Sequence, residues 1–132
     1  MRAPRERVFE AWTRPEHLRR WWGPRSVRCT EAEIDLRVGG RYRIANELPD
    51  GSVVWIVGEF ELVAPPERLV YTWLLEPGPP SRERVTVRFE PKDGATTEVI
   101  VVHERIGSVA ARDQHEQGWE GCLDGLAGWL EA

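Results

Sequence analysis

The chain has 132 residues, 22 acidic and 18 basic, a formal charge of −4 and 41% hydrophobic residues. That is enough for one hydrophobic core and too little for two, and it is too apolar for a disordered chain. The acidic balance argues against a nucleic-acid or anionic-membrane partner, because such partners need a basic face to release counterions.

Apolar runs such as Val53–Val57 are strand-sized, and the start Met1-Arg2-Ala3-Pro4-Arg5-Glu6 lacks the apolar stretch of a signal peptide. The expected compartment is therefore the cytoplasm. Cys29 and Cys122, isolated in sequence, read there as small buried hydrophobes. Seven tryptophans are the one compositional oddity. Tryptophan suits cores, and it equally suits the walls of pockets for aromatic or apolar ligands.

In chain order, Pro4 suits the first turn of a helix, and Val8, Ala11 and Trp12 give that helix an apolar side up to about Trp12. Thr13-Arg14-Pro15-Glu16 has the form of a capping box, with the Thr13 hydroxyl at the cap. The helix it opens carries Leu18, Trp21 and Trp22 until Gly23-Pro24 ends it. From Ser26 the period changes to two. Ala32, Ile34 and Leu36 alternate with acidic residues, and after Val38-Gly39-Gly40 the chain reverses into Tyr42, Ile44 and Asn46, which predicts a hairpin. Val27 and Cys29 are out of phase with Ala32, which predicts a bulge near Thr30.

Pro49-Asp50-Gly51 turns into a long strand from Ser52 to Val63 with a kink at Gly58. Pro65-Pro66-Glu67 turns into Leu69, Tyr71, Trp73 and Leu75, and Gly78-Pro79-Pro80-Ser81 is expected to be a loop. Val85, Val87 and Phe89 then alternate with Arg84, Thr86 and Arg88. Lys92-Asp93-Gly94 makes a hairpin turn, and Val99, Val101 and His103 form the inner phase of a last strand.

From about Ser108 to Ala132, Trp119, Cys122, Leu123, Leu126 and Leu130 recur at spacings of three and four, one apolar stripe on a long helix. His115 projects from the same stripe. Gly118, Gly121, Gly125 and Gly128 run beside it, each costing the helix roughly 1 kcal/mol relative to alanine, so packing must offset them or they stand exposed and merely tolerated. The fold class expected is α+β: two short helices, six strands in a meander and one long helix, in a single domain spanning residues 1–132.

Ala3-Pro4-Arg5-Glu6-Arg7-Val8-Phe9-Glu10-Ala11-Trp12, then Trp21-Trp22-Gly23-Pro24, Val38-Gly39-Gly40, Pro49-Asp50-Gly51, Pro66-Glu67-Arg68-Leu69 and Gly118-Trp119 together resemble the family of homologues of the activator of the heat-shock protein 90 ATPase. That family lies within the START-like, helix-grip superfamily also called SRPBCC. The resemblance covers nearly the whole chain. It implies a curved antiparallel sheet gripping the C-terminal helix, with a cavity between them for a small apolar molecule.

The family's usual first strand, which lies between the second strand and the last, has only Met1 and Arg2 to represent it here. Either the start is truncated, or the strands beginning near Val27 and ending near His103 keep unpaired edges. The expected repair is a homodimer burying on the order of 1,600 Å² or more.

The inward phases name the cavity wall: Tyr42, Trp73, Phe89 and Val101 from the sheet with His103, and His115 and Trp119 from the helix. Trp55 and Cys122 complete the candidate set, around a space above roughly 300 Å³. No nucleophile with a base and no catalytic carboxylate pair stands out. A metal site around the histidines would need an inward carboxylate or thiolate that the sequence does not place, Cys122 apart, so neither metal nor cofactor is expected. His103 and His115 could bond a ligand carbonyl or act as a general base, or be satisfied core histidines.

Binding of a small hydrophobic or aromatic ligand is the favoured reading. A chaperone-associated interaction module and a cyclase- or hydrolase-like enzyme using the same cavity are the alternatives, since fold does not carry function.

Overall fold

The computed structural model describes residues 1–23, 26–78, 80 and 82–131. Pro24, expected to help end the second helix, Pro79 and Ser81 of the expected loop, and Ala132 at the end of the long helix lie outside the described residues.

Two short helices, α1 (Arg5–Thr13) and α2 (Pro15–Trp21), lead into β1 (Arg28–Ile34), β2 (Arg41–Glu47), β3 (Val53–Ala64), β4 (Arg68–Glu76), β5 (Glu83–Asp93) and β6 (Thr96–Glu104), and the long helix α3 (Val109–Glu131) closes the chain. The strands pair in sequence order, every pair antiparallel. Short connections permit such a meander, whereas parallel pairing would need long crossovers. No helix is long and apolar enough to cross a membrane among the described residues.

The α1–α2 junction differs from its expected form. Thr13 is the last residue of α1, and its hydroxyl donates back to the Phe9 carbonyl at 2.8 Å. The N-cap of α2 is Arg14, extended and without a side-chain cap bond. A residue whose backbone completes one helix cannot also take the extended conformation of an N-cap, so the capping box does not form. Pro15 at the first helical position lessens the loss, since it has no N–H to satisfy.

The bulge falls where the phase change predicts it: the β1–β2 register slips between Cys29 and Glu31. At Gly58 three strands crowd together. A Cβ there would overlap the Thr72 carbonyl and stand 2.7 Å from the Tyr42 ring. The Tyr42 hydroxyl donates to Thr72 O at 2.6 Å, and the Glu59 N–H donates to the Thr72 hydroxyl at 2.9 Å. Only glycine allows this approach.

The outer strands of the sheet are β1 and β6. The β6 edge is less open at its start than expected, because Met1 pairs with it. The Met1 amino group donates to Thr97 O at 2.8 Å, Thr97 N–H donates to Met1 O at 2.9 Å, and the Thr97 hydroxyl donates to Ala3 O at 2.7 Å.

The core lies between the sheet and the three helices. Val85, Val87 and Phe89 of β5, Leu69 of β4, Leu18 of α2 and Leu126 of α3 are fully buried. Each is expected to contribute roughly 1.5–3 kcal/mol by leaving water. The α3 stripe buries Trp119, Cys122, Leu126 and Leu130. Beside it Gly125 lets α2 and α3 approach, since a Cβ there would lie 2.7 Å from the Trp21 carbonyl oxygen. Gly128 is exposed and open around its Cβ position, one of the merely tolerated glycines.

Candidate functional site

The space between α3 and the sheet is largely occupied by rings. Trp12 stacks on Trp119 at 6.0 Å between centroids, Trp22 meets Trp119 edge-on at 5.6 Å, and Trp73 lies 5.4 Å from Trp119. What remains is a hollow of about 110 Å³ bounded by Trp22, Asn46, Ile56, Trp73, Gln114, His115, Gly118, Trp119 and Cys122. A separate void of only about 20 Å³ lies deeper, among Trp12, Tyr42, Phe60 and Tyr71. The inner space is therefore smaller than the cavity expected from the strand phases, because Trp12 and Trp22 fill from the helical side what the sheet leaves open.

On the far side of His115 and Trp119 is an open cleft of about 580 Å³ between the end of β6 and the first half of α3. The two residues line both spaces, so the hollow and the cleft share a wall. Trp22 and Asn46, both buried, are bonded to one another and to the sheet. Trp22 Nε1 donates to Asn46 Oδ1 at 3.0 Å, and Asn46 Nδ2 donates to the carbonyls of Ile44 and Val54, both at 3.2 Å. Burial pushes the Cys122 thiol up to about 12, with smaller opposing and assisting effects from Gly23 and Cys29, so it is a neutral wall and not a nucleophile.

At the shared wall the polar chemistry concentrates. Trp119 Nε1 donates to His103 Nδ1 at 3.1 Å, and an indole nitrogen can only donate, so Nδ1 is the acceptor. The proton of the neutral imidazole is then on Nε2, which lies 2.8 Å from Glu83 Oε1. His115 Nε2 lies 2.9 Å from the same oxygen, and the two imidazoles overlap with centroids 4.3 Å apart. The side chains of His103, Glu83 and His115 are 5%, 15% and 16% exposed. Burial, and next the neighbouring His115, push His103 down from 6.5 to about 4, while Glu83 pulls the other way.

Of the candidate residues, Trp73, His115, Trp119 and Cys122 meet at the hollow, and Val101 and His103 face the cleft with His115 and Trp119. Tyr42 borders the deeper void, its hydroxyl bonded to Thr72. Phe89 is buried against Phe9 and Trp12, away from both spaces. Trp55 alternates with inward Ile56 and so stands on the outer face of β3, where the Arg43 guanidinium lies 4.2 Å over its ring.

Glu83 is the residue that sequence reasoning missed. It stands on the inward phase of Val85, Val87 and Phe89, and extending that alternation two positions back places it beside His103, which pairs with Val85. Trp22 was legible as an apolar residue of the second helix but not as a wall of the hollow.

A curved antiparallel sheet closed by one long C-terminal helix, with two short helices at the N-terminal end, is the helix-grip arrangement of START-like domains. The chain belongs to the family of activator of Hsp90 ATPase homolog 1-like proteins, whose pattern matches residues 2–131. Protein CV1439 from Chromobacterium violaceum is similar in structure with a TM-score of 0.89 and 28% identity, over 100% of this chain and 92% of that one. The AHSA1-like protein from Aeromonas hydrophila has a TM-score of 0.81 and 26% identity, over 98% and 86%. The AHSA1 protein from Silicibacter pomeroyi, at 23% identity, shares the fold with a TM-score of 0.88 over 99% and 92%. No curated protein matches the chain.

Proposed function

We propose that the protein binds a small apolar or aromatic molecule in the hollow against α3, with Trp22, Trp73 and Trp119 as the ring-lined wall, Cys122 as the floor and His115 as the polar group at the mouth. The observation that carries this reading is that three indoles and Gly118, with no atom within 4 Å of where its Cβ would stand, surround one space. Aromatic walls of this kind offer large apolar contact with little side-chain entropy to lose. At about 110 Å³ the hollow is near the size of an apolar cavity of roughly 150 Å³ known to hold benzene, so the ligand inside it is of about one ring, with any further part lying in the cleft. A long lipid or polyketide buried whole does not suit this volume.

The same reading places the protein in the cytoplasm, since Cys29 and Cys122 are free thiols, and carries a homodimer through the β1 and β6 edges as its expected assembly, which light scattering would decide.

The test is a titration of ¹⁵N-labelled protein with phenol, indole and 2-naphthol, watching the indole N–H resonances. Saturable shifts at Trp22, Trp73 and Trp119, with Trp55 and Trp129 unmoved, are expected. No shift with any of the three at about 1 mM, a free energy weaker than about −4 kcal/mol, would end the reading.

A further inference from the structure

We propose that Glu83, His103 and His115 form a binding site for a divalent transition-metal ion, with the two imidazole Nε2 atoms and a Glu83 carboxylate oxygen as its protein ligands. The three side chains come from separate elements, β5, β6 and α3, and one ligand atom from each lies within 4.8 Å of the other two. The carboxylate oxygen is 2.8 Å from one Nε2 and 2.9 Å from the other. Metal–nitrogen and metal–oxygen bonds of about 2.0–2.1 Å at right angles put neighbouring ligand atoms roughly 2.9 Å apart, so both separations match edges of an octahedral ligand shell.

Two imidazoles with one carboxylate suit zinc, cobalt, nickel or ferrous ions, whereas magnesium and calcium prefer oxygen ligands alone. The remaining coordination positions would open toward the cleft that His103 and His115 line. Asp113, Glu116 and Glu120 border that cleft against a single guanidinium, Arg112, and so favour the entry of a cation. The proposal does not rest on a ligand occupying the hollow.

Entry of the ion moves protons but no electrons. Coordination needs the Nε2 lone pair of His103, so its proton relocates from Nε2 to Nδ1, where it opposes the Trp119 N–H that now donates there. The Trp119–His103 bond opens as the metal–nitrogen bond forms. His115 frees its Nε2 in the same way, with its proton on Nδ1. Trp119 therefore acts as a positioning residue that holds His103 in the metal-free tautomer.

The experiment strips the full chain with a chelator and titrates it with cobalt(II) and zinc(II). One equivalent of cobalt is expected to bind, with visible absorption and broadening of the side-chain resonances of His103 and His115 but not of His17. Glu83→Gln and His115→Ala should weaken binding by roughly 10–100-fold or more, the scale by which even outer groups tune a metal site. Trp119→Phe, which removes the opposing N–H, should tighten it several-fold. Absence of stoichiometric binding at about 1 mM metal, broadening centred on His17, or unchanged affinity in both ligand variants would overturn the proposal. If a variant fails to fold, the histidine resonances of the unmodified protein decide.

Discussion

The indole N–H of Trp119 donates to Nδ1 of His103 across 3.1 Å, joining the middle of α3 to the end of β6. One bond thereby fixes three things: the imidazole's tautomer, its aim at Glu83, and the seat of the largest side chain on the helix stripe. It also places the polar cluster at the wall between hollow and cleft.

Trp119→Ala should destabilise the fold by about 3–5 kcal/mol, since it removes a buried ring packed on Trp12, Trp22 and Trp73. Trp119→Phe keeps most of the packing but leaves His103 Nδ1 without its donor, and about 1–3 kcal/mol is expected. Urea unfolding of both variants measures the difference. A Trp119→Phe variant as stable as the unmodified protein would show that the hydrogen bond adds nothing beyond the packing.

Stability should fall as the metal-free protein is acidified below neutrality. His103 is held down from 6.5 to about 4 in the folded state, so between those values the unfolded chain binds more protons. The contribution is complete above 6.5 and is lost as pH falls toward 4. Thermal midpoints between pH 6.5 and about 5, above the ordinary carboxylate range, should drop less steeply in His103→Gln than in the unmodified chain. Parallel curves would contradict the assignment.

Gly125→Ala and Gly128→Ala should act in opposite directions, although both replace a glycine in one helix. The second gains up to about 1 kcal/mol of helix propensity at an exposed position with open space around it. The first gains the same propensity but drives a methyl to 2.7 Å from the Trp21 carbonyl, forcing α2 and α3 apart, and should be a net loss. Melting temperatures of the pair check the sign.

Gly118→Leu would place a side chain in the hollow that Gly118 borders. Binding of phenol and indole should fall by roughly tenfold or more, about 1.4 kcal/mol, while the fold is retained, because the new atoms take up empty space and not that of a neighbour. Unchanged shifts of the Trp22 and Trp73 indoles in the variant would move the ligand elsewhere.

The order of elements, the alternation of Val85, Val87 and Phe89, the bulge near Thr30 and the stripe from Trp119 to Leu130 were all legible, because each rests on spacings within a few residues. The same local reasoning failed at Thr13, where two helices compete for one residue's backbone, and the winner depends on how α1 packs. It also placed Trp55 among the cavity walls, when only the phase of β3 relative to Ile56 and Gly58 decides which face a long two-sided apolar strand presents.

By itself the sequence determined the fold class, the inward phase of His103 and the place of His115 on the helix stripe, since helix and strand periods are properties of neighbouring residues. The tertiary structure alone decided that Trp12 and Trp22 would fill the grip of sheet and helix, and that Glu83 would meet both imidazoles. Those meetings depend on the Val85–His103 register and on where α3 crosses the sheet. Such contacts join residues far apart in the chain and are set by packing of the whole core, which no local period encodes.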